Sequence, residues 1–147
     1  MRAKRSALAL ALTLIGASLL LPGEGRAQQA APPNQRAATA DELNTYIGMG
    51  SINMCSLSQA KVAFKPAMES NLNMMVSVLS SKHGSLVPGA QAPLSREQLA
   101  NGSLLQLVLR MDAICGKALP ADWRKDFDPL LSQVKQALQA SGKTPGK

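Results

Sequence analysis

Aromatic residues are the scarcest large side chains here: one Trp, one Tyr and two Phe in 147 residues. A β-sandwich core draws heavily on aromatic and β-branched residues. Their shortage points to a core of Leu, Met, Val, Ile and Ala packed between helices. Histidine is rarer still. His83 is alone, so no His-x-His or His-Glu-x-x-His zinc motif exists. Cys-x-x-Cys and Gly-x-Ser-x-Gly are absent too, and Gly48-Met49-Gly50 lacks the third glycine of a dinucleotide loop. These absences argue against zinc hydrolysis, dithiol redox catalysis, a nucleophile-elbow triad and phosphate-loop chemistry. No internal repeat is visible.

Charge is also thinner than the total of +7 suggests. Between Asp41 and Ala137 nine Lys/Arg face eight Asp/Glu, and the remaining excess sits on the ends of the chain. Basic residues are not interleaved with stacking aromatics, so no nucleic-acid footprint is present.

What is there begins with an N-terminal leader. Arg2, Lys4 and Arg5 form a basic start, Ser6 to Leu21 is uncharged and rich in Leu and Ala, and Gly25-Arg26-Ala27 places small residues where signal peptidase cuts. As a helix the apolar stretch would reach roughly 24 Å, short of the ~30 Å hydrocarbon core. We therefore expect a signal peptide over 1–27, with cleavage near Ala27. The mature protein would be periplasmic or extracellular, without a transmembrane anchor. No Cys lies near the cut to carry a lipid.

Cys55 and Cys115 are the only cysteines. An even count in a small exported domain reads as one disulfide. Two buried thiols or a redox pair are the alternatives, although a catalytic pair usually has Cys-x-x-Cys spacing.

The pattern predicts a disordered leader over 28–38, an all-α domain over 39–140 and a disordered tail over 141–147. The domain is expected to be a small bundle of four or five short helices stapled by the disulfide. Thr39 and Glu42 have capping-box spacing, with Leu43, Tyr46, Ile47 and Met54 on the buried stripe. Gly48 and Gly50 suit either a close helix approach or a bend. Pro66 suits either the first turn of a second helix or a kink in it, followed by Met68, Leu72, Met75, Val76 and Leu79 on one face, ending at Lys82-His83-Gly84. Ser95 and Gln98 open a third helix with Leu99, Leu104, Leu107, Val108, Met111, Ile114 and Cys115 inward. Asn101-Gly102 threatens to kink it. Asp128-Pro129 resembles an N-cap and first helical position, with Trp123 and Phe127 before it.

Candidate chemistry is sparse. Asp122, Asp126 and Asp128 cluster in sequence, but a solvated helix end explains them as well as an acid–base pair does. His83 reads as a helix-end residue without an obvious partner. The six methionines after Met1 fit a soft-metal site, an adaptable contact surface or gap-filling in an aromatic-poor core. Met68, Met74 and Met75 are the candidate binding surface; Met74 and Met75 cannot both face inward. No cofactor is expected.

Cys55-Ser56-Leu57, Leu99-Ala100-Asn101-Gly102 and Ile114-Cys115-Gly116, followed by Leu119-Pro120-x-Asp122-Trp123, resemble small exported cyanobacterial proteins with no established activity. The likeness covers about Thr39 to Leu138 and carries no catalytic residue. Some such proteins bear a class-II cyclic-nucleotide phosphodiesterase or metallo-β-lactamase label, whose histidine-rich metal motif is missing here. In architecture the chain is also similar to periplasmic acid-stress chaperones, without their aromatic-Thr-Cys segment. The resulting expectation is an envelope protein that acts by binding a protein partner or itself. A stress chaperone, or a hydrolase using Asp122, Asp126 or His83, is the alternative.

Overall fold

The computed structural model describes residues 35–142. The signal peptide expected over 1–27 and most of the expected leader and tail lie outside the described residues. Four α-helices follow one another: α1 Ala40–Gln59, α2 Phe64–His83, α3 Arg96–Cys115 and α4 Ala121–Ala140. A 3-10 turn, Gly116–Ala118, joins the last two, and among the described residues there is no strand. The all-α class holds, but the helices are not short. Each spans 20 residues, about 30 Å at 1.5 Å per residue.

Local chemistry sets several helix ends. Thr39 and Ser95 each close a complete capping box, with Glu42 and Gln98. Each box satisfies two backbone donors that an isolated helix start leaves unpaired. Pro66 sits in the first turn of α2, where its missing N–H has no intrahelical acceptor to lose. At the other end Gly84 adopts the left-handed conformation that stops the helix.

Two expectations about helix breaks are corrected. α3 passes unbroken through Asn101-Gly102. Pro129 lies inside α4, which starts eight residues earlier, behind Pro120. Trp123 and Phe127 explain the early start. Both are buried on the same stripe as Val134, at intervals of four and seven, so burying them requires helix across the proline. Pro129 leaves the Lys125 carbonyl without its usual donor, and that turn of α4 is exposed to water.

α1 and α2 run antiparallel, α3 returns alongside both, and α4 packs on α3 and α2. α3 therefore lies parallel to α1. The two meet closely at Gly50, where an added Cβ would stand 3.2 Å from Leu107 Cδ1. Cys55 and Cys115, with Cα atoms 6.1 Å apart, form the disulfide between them. Met54, Leu107, Val108 and Met111 fill the space between the helices. Beside them Phe64 meets Trp123 edge to face at 5.2 Å, and Phe127 stands 6.5 Å from Phe64. The Trp123 indole N–H donates to the Val62 carbonyl at 2.8 Å. Ile114 departs from its expected inward face and is 47% exposed.

The packed domain also starts earlier than the sequence suggests. Ala38, expected in the disordered leader, is buried against Val76, Leu79 and Leu99. Its N–H donates to the Leu86 carbonyl at 3.0 Å.

The two α1 glycines separate cleanly. A Cβ at Gly48 would meet nothing within 4 Å. Gly48→Ala is expected to stabilise by about 0.5–1 kcal/mol through helix propensity alone. Gly50→Ala gains the same propensity but crowds buried Leu107, and should fall about 1–3 kcal/mol below Gly48→Ala. Urea unfolding of both variants checks the difference.

Candidate functional site

The acid–base candidates do not assemble. Asp122, Asp126 and Asp128 are all exposed along α4. Asp128 pairs loosely with Arg124 at 3.9 Å, one helical turn away. Among the described residues no three His, Cys, Asp or Glu side chains come together to hold a metal ion.

His83 differs most from its expectation. It is fully buried and has two partners. Its Nδ1 stands 3.2 Å from the Arg36 carbonyl and its Nε2 stands 3.0 Å from the Tyr46 hydroxyl. A carbonyl oxygen only accepts, so Nδ1 carries the proton and Nε2 accepts from Tyr46 in the neutral ring. Lys82 Nζ donates to the same Tyr46 oxygen at 3.1 Å. Arg36 grips Glu42 with two bonds of 2.8 Å, and Lys82 Nζ approaches Glu42 at 3.5 Å. The outcome is a polar clasp that ties residues 35–38 across the adjoining ends of α1 and α2. Both ring nitrogens of His83 and the Tyr46 hydroxyl are engaged with protein, which makes it a structural fastening. No periodic signal links Tyr46 and His83, so helical spacing alone could not pair them.

The methionines divide. Met54, Met68, Met75 and Met111 belong to the buried interior. Met68 and Met75, at 6% and 1% exposure, are withdrawn from the candidate binding surface. They share the stripe of Leu72 and Leu79 that faces the bundle. Met74 remains on the surface at 42% exposure, joined by Met49 at 62% and Ile52 at 58%.

Their placement follows from helical spacing. Tyr46, Met49 and Asn53 recur at three and four residues and so share one stripe of α1. Tyr46 bonds across to α2 at His83, and Asn53 Nδ2 donates to Asn71 Oδ1 at 3.2 Å. Met49 thus lies along the seam between the two helices. Met74 stands one turn beyond Asn71 on α2. No charged residue occurs from Leu43 to Ala60 on α1 or from Ser70 to Ser81 on α2. The outer side of this helix pair is a neutral surface with protruding apolar side chains. Met49 and Ile52 fall off the buried stripe of Ile47, Gly50, Met54 and Ser58, and that mismatch was the available sequence signal.

The fold and these surfaces define a class: a disulfide-clamped four-helix domain with a neutral, partly apolar outer face and no assembled catalytic group among the described residues. Residues 41–144 match the family model described as a domain of unknown function, DUF8650, and the chain belongs to that family. No curated protein and no solved structure matches it.

The clasp sets an acid dependence. Glu42 is held down to about 2 from an ordinary 4.5, first by the Arg36 hydrogen bond and then by the Thr39 backbone N–H. A depressed carboxylate contributes stability that is complete above its unfolded value and lost as pH falls toward the folded one. Stability should therefore decline between about pH 4.5 and pH 2. In Glu42→Gln the decline over that window should be smaller, as measured by urea midpoints at each pH.

Proposed function

We propose that this is an exported envelope protein that acts by binding a protein partner or a second copy of itself through the outer side of the α1–α2 pair. One observation carries the reading: Met49, Ile52 and Met74 stand exposed on a stretch of two helices that has no charge. Scattered exposed apolar residues are ordinary on any protein. Here three large ones fall on stretches of two neighbouring helices where charged residues are missing, which lowers the desolvation cost of covering them. Export is supported by the three-zone leader ending at Ala27 and by the cysteine bridge. The resemblance to small exported cyanobacterial proteins agrees with it. The hydrolase alternative loses support from the exposure of Asp122 and Asp126 and from the fully engaged ring of His83.

Two experiments test this. Intact-mass analysis of the protein from its own cells should find a chain starting at Gln28; a chain retaining Met1 contradicts export. The double variant Met49→Lys, Ile52→Lys should change unfolding stability by no more than about 0.5 kcal/mol, since both sites are exposed. It should also lose whatever partner or self-association the wild type shows in affinity capture and sedimentation. Equal retention by both proteins contradicts the assigned face.

A further inference from the structure

The apolar cluster of Ala38, Val76, Leu79 and Leu99 is incompletely filled. Between the N-terminal halves of α1 and α3 lies a half-open cavity of about 150 Å³. Leu43 and Ile47 line it from α1, Leu79 from α2, Val87 and Leu94 from the connecting loop, and Leu99 from α3. No charged side chain lines it. The lining is mostly apolar, and a space of roughly 150 Å³ takes a guest the size of benzene.

Three polar side chains line the α3 wall: Gln98, Gln106 and the buried Ser103. Gln98 and Gln106 present carboxamides at the exposed edge of α3. The Gln98 carbonyl oxygen is used by the Ser95 N–H in the capping box, which leaves its amide N–H pair for another acceptor. Between the two glutamines lies Gly102, also part of the lining. Glycine is not required there. Its φ is ordinary for a helix, and a Cβ would meet nothing within 4 Å. An interior glycine weakens a helix relative to alanine, and this one spares no clash. Its effect is to keep a side chain out of the groove.

We infer that the groove is a binding site for a neutral amphiphile with a hydrocarbon part of about six carbons, a size set by the cavity. The chain would lie against Leu79 and Leu99, with the polar end at the amides of Gln98 and Gln106. A charged head is disfavoured because no counter-charge lines the site to offset its desolvation. The inference is independent of the partner face, since Ile47 and Met49 lie roughly 200° apart around α1 at 3.6 residues per turn.

The test is a titration of the mature chain with 1-hexanol, followed by the methyl resonances of Leu, Ile and Val. Hexanoate and hexylammonium serve as charged probes of equal chain length. Saturable shifts confined to the groove methyls, with at least tenfold weaker binding of both charged probes, are expected. The variant Gly102→Leu, placed where a side chain has room, should weaken 1-hexanol by a similar factor while leaving the other methyl positions unchanged. Non-saturable shifts, shifts centred on the Met49 and Met74 side, or equal binding of the charged probes overturns the inference on the unaltered protein, whether or not the variant folds.

Discussion

The parallel contact of α1 with α3 governs the structure. Parallel neighbours cannot be joined by a short turn, so something other than the connection must hold them in register. The bridge from Cys55 to Cys115 does so across a sequence separation of 60. In the chain-entropy picture a loop of that length is worth about 4 kcal/mol against the unfolded state. That is a large share of the ~5–15 kcal/mol by which small domains are stable. Gly50 allows the approach one turn before the bridge, and Leu107 fills the contact.

The two ends of the bundle differ because its few large side chains are unevenly spent. Phe64, Trp123 and Phe127 are gathered into one cluster and lock α4 to the others. The opposite end has only Tyr46, and its hydroxyl is committed to His83 and Lys82. There the interior is filled by Ala38, Val76, Leu79 and Leu99. Smaller side chains leave space, and the groove between α1 and α3 follows from that shortage. Residues 35–38 close the same end, held by the buried imidazole.

Much of this was legible in the sequence. The capping boxes at Thr39 and Ser95 and the stop at Gly84 rest on short-range chemistry that three or four residues specify, whereas Gly50 was open to a bend or a close approach until Leu107 of α3 decided it. The spacing of Met68, Leu72, Met75 and Leu79 already implied that Met74 alone would face outward; treating all three methionines as one surface ignored that stripe. Pro129 was misleading because Asp-Pro carries the same chemistry at a helix start and inside an exposed turn. Only the long-range burial of Trp123 and Phe127 decides between them. The pairing of His83 with Tyr46 and Arg36 was not legible, since contacts between residues 37 and 47 positions apart leave no periodic trace.

The clamp between parallel helices can be tested without perturbing it. Protein isolated from its own cells is alkylated without reduction, digested with trypsin and examined by mass spectrometry. The account predicts one linked species joining the peptide of residues 37–61 to that of residues 111–117. Recovery of both peptides unlinked, each with an alkylated cysteine, would contradict it.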